Sequence, residues 1–360
     1  MICLLNVGIK EDSILIIKLT ENIYCAFVGG FRMNGSLESL AKLQSVLSSR
    51  SNAQVAFEAG LFVIIFITTV VGNSLTIFIV IRNKSLRTIP NMFVISLAVA
   101  DLGMGCLSMH LLVTVLITSE WIFGELICQY QGFISILMAA SSTQTLAWTA
   151  VNRFFSVCKS QKCRKIFSWR NTTLIMASIW GLSLLAPLPY VVSGNRFVFN
   201  AGKFFCYLDV KAGWFTGFLV AVYVGIPTNV IFYCYFRVFK SVREHNKKLL
   251  QSRETTLSVE EIKITRTLFV IVVVFMLCWS PVLIMDFIDT FSGDYTIPRE
   301  GYTAYTFLAS LSSAVNAVIY GIMNPKFKKE YLRIMLCKTL RGVPVETTVQ
   351  AVRITAASVA

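Results

Sequence analysis

The chain has 360 residues, of which 55% are hydrophobic and only 14% charged, and its formal net charge is +14. Soluble domains usually carry about 25% charged residues, so an assembly of water-soluble domains is excluded. The apolar content is instead gathered into stretches that fit a membrane protein, whose backbone can be satisfied inside lipid only as helices or a closed barrel.

Seven stretches reach the length of about 20 apolar residues that a bilayer span needs. Ala59–Ile81 runs 23 residues without a charge, and Thr88–Ser119 contains only Asp101 and His110 as ionisable groups. Leu126–Asn152, Asn171–Asn195 and Ala212–Phe236 are free of charge. Thr267–Met285 is the shortest, with 19 residues, and Asp286 and Asp289 follow it. At about 1.5 Å per residue it still spans. Gly301–Pro325 is the seventh. The predicted fold is an all-α membrane protein, a seven-transmembrane helix bundle over residues 59–325. An outer segment (1–58) precedes it. A short amphipathic helix (326–337) and a flexible tail (338–360) follow.

Placing the amino terminus outside puts 24 of the 33 Lys and Arg residues on the inner side. That excess is the positive-inside pattern. Basic loops facing anionic lipid account for the net charge, so no nucleic-acid partner is needed. Asn34-Gly35-Ser36 is a glycosylation acceptor on the outer side, whereas Asn171-Thr172-Thr173 lies at an inner mouth and stays bare. Residues 1–32 carry neither a signal-peptide pattern nor a clear packed element, so translation is expected to begin at Met33.

The ten Cys contain no Cys-x-x-Cys pair and the chain has two His, so no metal centre is expected. No nucleophile elbow is present, and an enzyme is not indicated. Cys128 and Cys206 both face the oxidising side, where a bridge is allowed. Cys337, inside and beside basic residues, is a candidate for S-acylation. Asp101 has no Lys or Arg in any span to pair with. It must face the interior, where it holds a small cation with hydroxyl and amide oxygens or joins a structural polar network. Arg153 ends span three; it anchors at the interface or meets Glu260 or Glu261 at the start of span six. Pro187, Pro189, Pro227 and Pro281 each remove a helix hydrogen bond and favour bends.

These marks together resemble the rhodopsin-like (class A) G-protein-coupled receptors. They are Gly72-Asn73, Leu97-Ala98-x-x-Asp101, Trp121-x-Phe123-Gly124, Asn152-Arg153-Phe154, Trp180, Pro227 with Tyr235, Cys278-Trp279-Ser280-Pro281, Asn316-Ala317-x-x-Tyr320 and Phe327 with Tyr331. The resemblance covers about residues 59–337. It implies a Cys128–Cys206 bridge and a sodium ion at Asp101, Ser142 and Asn316 that acts allosterically. It implies an activation switch of Phe275, Trp279, Pro281, Pro227, Tyr235 and Tyr320. Coupling to a heterotrimeric G protein of an inhibitory Gi/o type is implied through Asn152 and Arg153, with Glu261 as the inactive-state partner of Arg153. Arrestin, a receptor kinase and membrane lipid are implied partners, and the plasma membrane is the implied location.

Three residues depart from the family pattern: Asn152 replaces an acid, Ala317 a proline and Thr143 an isoleucine. Asn152 weakens the local restraint on Arg153, which implies some ligand-independent signalling. Asn152-Arg153 and Asn316–Gly321 are most similar to melatonin receptors. The ligand-reading positions differ, however. Melatonin receptors use an Asn where this chain has Tyr190, a Gln at Val210, an aromatic at Leu208 and a His at Tyr223. Amine receptors need an acid at Ser135, and opsins need a Lys at Ser310. The expected pocket comprises Ser135, Ile136, Tyr190, Leu208, Tyr223, Met285, Asp286 and Tyr305, and melatonin is expected to be a poor agonist. The alternative class, a transporter or channel, would show repeated halves or pore rings, and neither is visible.

Overall fold

A computed structural model describes residues 35–249 and 259–335, with side chains over 37–243 and 263–334. Helix α1 (Gly35–Ser48) leads into α2 (Asn52–Arg82). Ser51 starts α2 by accepting a hydrogen bond from the Gln54 N–H, while the Gln54 side chain accepts from the Ser51 N–H. That reciprocal cap satisfies two donors a helix start leaves open. Then come α3 (Ile89–Thr118), α4 (Gly124–Cys158), the short α5 (Ser160–Ile166) and α6 (Trp169–Val192). A hairpin of β1 (Val198–Asn200) and β2 (Phe205–Tyr207) follows, antiparallel, with Phe199 opposite Cys206. Helix α7 (residues 213–249), α8 (Val259–Ser292), α9 (Arg299–Met323) and α10 (Pro325–Met335) complete the described chain.

Seven helices, α2, α3, α4, α6, α7, α8 and α9, form the bundle. Six of them are long and apolar enough to cross a membrane. The seventh, α4, carries Ser141, Ser142, Thr143, Thr145 and Thr149, and all five are buried. A polar row is tolerated there because it faces protein: Thr145 Oγ1 lies 3.1 Å from Ser96 Oγ on α3. Close packing elsewhere depends on small residues. A Cβ added to Gly72 of α2 would lie 2.7 Å from the Ala317 Cβ of α9.

Two helices widen by a π-turn, α3 at Gly105–Met109 and α7 at Val220–Gly225. Pro227 follows the second; in a regular helix its ring would press on the carbonyl of Tyr223. Helix α6 breaks between Leu184 and Leu188, where Pro187 stands.

The helices overrun the apolar stretches that the sequence marks. Helix α8 is 34 residues long, so Asp286 and Asp289 lie within it rather than beyond it. Helix α2 starts seven residues before Ala59 and includes Glu58, whose carboxylate pairs with Arg50 at 2.7 Å and with Arg299. The outer segment also holds an unexpected packed element. Leu43 and Leu47 of α1 are buried among Phe62, Leu112 and Leu116. At the opposite end α10 returns along the bundle, with Phe327 stacked 5.5 Å from Tyr320 and the Tyr331 hydroxyl 2.6 Å from Thr76 Oγ1.

Candidate functional site

A cavity of about 380 Å³ lies between the hairpin and the middle of the bundle. Phe205 and Tyr207 of β2 cover it, and Phe275 and Trp279 of α8 line it deeper in. The cover is pinned: Cys206 is disulfide-bonded to Cys128 at the start of α4, with Cα atoms 5.3 Å apart. The Cys206 N–H also donates to Gln131 Oε1 at 3.0 Å. Of the residues expected in the pocket, Ser135, Ile136, Leu208, Tyr223, Asp286 and Tyr305 line it. Ser135 Oγ meets Ser108 Oγ at 2.9 Å, and the Tyr223 hydroxyl donates to the Leu182 carbonyl.

Tyr190 and Met285 do not line the cavity. Tyr190 is fully buried in a neighbouring cluster, between the rings of Phe197 and Phe215. Its hydroxyl donates to the Arg196 carbonyl at 2.9 Å and accepts the Asp209 N–H at 3.1 Å. The phenol therefore holds the loop together and is not offered to a ligand. Met285 packs instead on the cluster that contains Leu43 and Phe62.

Sequence reasoning missed Lys203. It sits in the hairpin turn, is 2% exposed, and its Nζ lies 2.8 Å from Asp286 Oδ1 and 3.3 Å from Asp289 Oδ2. Asp286 Oδ2 accepts from the hydroxyls of Tyr207 (3.1 Å) and Tyr305 (3.0 Å), while Tyr302 donates to Asp289 at 2.6 Å. The ammonium also faces the rings of Tyr305, Tyr207 and Tyr302 at 4.4, 4.8 and 5.6 Å. Burial first, and then the charge of Asp286, push the Tyr207 phenol well above its ordinary pKa, so it remains a donor. A signal was available. Asp286 and Asp289, and likewise Tyr302 and Tyr305, stand three apart and so share a helix face.

Below the cavity, Trp279 Nε1 donates to Ser312 Oγ at 3.1 Å, and its ring lies 5.7 Å from that of Phe275. Pro281 lies inside α8, two residues beyond Trp279. Asp101 is buried and accepts from Asn316 Nδ2 at 2.9 Å, with the Ser142 and Ser313 hydroxyls close by. The structure brings those residues together. No ion pair forms at Asp101 among the described residues. A carboxylate with two hydroxyls is a hard oxygen donor set that fits a small monovalent cation.

At the far end a second cavity of about 420 Å³ is lined by Asn152, Arg153, Ser156, Arg164 and Ile264, among others. Arg153 is buried and donates to Asn152 Oδ1 at 2.5 Å. Tyr235 and Tyr320 are both buried nearby in one cluster. The Glu261 side chain, Asn34 and Cys337 lie outside the described residues.

Seven packed membrane helices, with a covered cavity at one end and an arginine-lined one at the other, define the architecture of a heptahelical membrane receptor. The family described as "7 transmembrane receptor (rhodopsin family)" matches residues 72–320. The chain is 30% identical to melatonin receptor type 1B-B of Danio rerio, over 80% of this chain and 84% of that protein. It is also 30% identical to melatonin receptor type 1A of Mus musculus, over 76% and 79% respectively. In fold it is similar to squid rhodopsin, with a TM-score of 0.69 at 23% identity over 81% of this chain and 88% of that one. The protein belongs to the rhodopsin family of seven-transmembrane receptors and is of the melatonin-receptor-like type. That family is a receptor class and not an enzyme class.

Proposed function

We propose that this receptor binds a small extracellular ligand in the hairpin-covered cavity and activates a heterotrimeric G protein of the inhibitory Gi/o type. One observation carries the reading. The cavity is lined at depth by Phe275 and Trp279 on α8, the helix that also contributes Ile264 to the Arg153 cavity at the other end. A ligand that favours one position of α8 shifts the population of inner-end states by its differential affinity. Pro281 and the π-turn before Pro227 are the bends that let α8 and α7 swing. Arg153, which donates to Asn152, is the residue that meets the G protein, with Tyr235 and Tyr320 closing behind it. Glu261 is its partner in the resting state.

In this reading the amino terminus is extracellular at the plasma membrane, Asn34 carries a glycan and Cys337 an acyl chain. Arrestin, a receptor kinase and inner-leaflet lipid contact the inner face. Sodium binds Asp101 with Ser142 and Asn316 and favours the resting state. The test is a ligand screen of indoleamines, lipids and short peptides, read as G-protein dissociation in cells. At least one compound is expected to act on the wild type and to fail on Arg153→Ala. Activity that survives Arg153→Ala would contradict the assignment.

A further inference from the structure

We propose that Lys203 supplies, from within the chain, the cation that the cavity's carboxylate would otherwise take from a ligand, so that the site selects uncharged molecules. This rests on the reading of the cavity as the ligand site. Asp286 is the one Asp, Glu, Lys, Arg or His side chain lining the cavity among the described residues. Its two oxygens are both engaged, Oδ1 by Lys203 and Oδ2 by Tyr207 and Tyr305.

A carboxylate ringed by aromatic faces is the environment that recognises an organic ammonium. Here an ammonium already occupies it. Lys203 is also fixed by its backbone: its carbonyl accepts from Thr306 Oγ1 at 2.8 Å and its N–H donates to Asn200 Oδ1 at 3.1 Å. Gly202 beside it packs so closely that an added Cβ would lie 2.6 Å from the Tyr302 ring. An amine ligand would have to take Asp286 from a buried Lys203 and crowd a second cation against it, leaving the lysine with Asp289 alone, which is unfavourable. An acidic ligand would meet Asp286. An uncharged ligand meets neither penalty and fills walls made by Ile136, Leu208, Phe275 and Trp279.

The test needs no known ligand. Ser135→Cys puts a thiol in the cavity wall, and its modification is followed in purified full-length receptor in nanodiscs, with reaction of the parent chain subtracted. The probes are methanethiosulfonates bearing a neutral methyl, a trimethylammonium or a sulfonate group. The cation-to-neutral rate ratio with Lys203 present is the reference value. Lys203→Met should raise that ratio by at least about tenfold, the scale on which a charged cleft concentrates a counter-ion. Adding Asp286→Asn and Asp289→Asn to Lys203→Met should bring it back to the parent value or below. Should Lys203→Met fail to fold, Asp286→Asn with Asp289→Asn in the Lys203 chain should favour the sulfonate reagent by about tenfold. Unchanged ratios in these variants would overturn the proposal and leave the cavity as a ligand site. No reaction with any reagent in any background would overturn the ligand-site reading itself.

Discussion

Tyr190 stands where melatonin receptors use an Asn, yet its hydroxyl is taken by the backbone of Arg196 and Asp209. Tyr190→Phe should therefore cost about 1–3 kcal/mol of stability, seen in thermal unfolding of the purified receptor, and leave ligand affinity unchanged. A loss of affinity at constant stability would restore Tyr190 to the site. Val210, where those receptors use a Gln, is buried and outside the cavity lining, and Leu208 offers an aliphatic wall. Without an amide partner and without an aromatic face, melatonin should bind about 2–4 kcal/mol more weakly than at a matched site. That is a loss of roughly one and a half to three decades in affinity. Concentration–response curves with surface expression controlled would settle it, and a half-maximal response at nanomolar melatonin would contradict the pocket described. At Asp101, agonist affinity should fall as sodium rises, because an ion that binds the resting state better opposes the agonist. The effect should vanish in Asp101→Asn, and an unaltered sodium response there would remove the ion from the account.

Among the elements, the spans were legible because lipid requires long apolar runs, and the ends of the helices were not. Helix α8 continues through Asp286 and Asp289, with Lys203 paired to both, and that lysine lies 83 residues earlier than Asp286 in the chain. Sequence spacing cannot announce such a partner. The same holds for Glu58, which directly precedes the charge-free run Ala59–Ile81 and lies inside α2 with Arg50 and Arg299 beside it. Helix α1 was missed for a related reason: a few leucines in a polar segment become a buried face only against Phe62, Leu112 and Leu116. Leu47 is fully buried there, so Leu47→Ala should destabilise the receptor by about 2–5 kcal/mol. Urea- or heat-induced unfolding checks this. A change within about 0.5 kcal/mol, the range of ordinary surface substitutions, would mean that α1 is not docked as described.

For the whole molecule, the Cys128–Cys206 bond and the Lys203 ion pairs tie the hairpin to α4 and α8. The outer end is thus held by covalent and ionic links. At the inner end the buried Arg153 donates to Asn152, and the Tyr235 hydroxyl lacks a hydrogen-bond partner among the described residues. The family resemblance, and not spacing, grouped Asp101 with Ser142 and Asn316; each lies in a regular helix, and the bundle brings Asn316 to Asp101. The ligand-facing loop has no such periodicity, and its contacts had to be seen. The most direct test is guanine-nucleotide exchange on a purified inhibitory-class heterotrimer with the receptor in nanodiscs. Receptor is predicted to accelerate exchange, further with a cavity ligand, and Arg153→Ala is predicted to abolish both effects. Exchange equal with and without receptor, in the presence of a compound shown to occupy the cavity, would contradict the account.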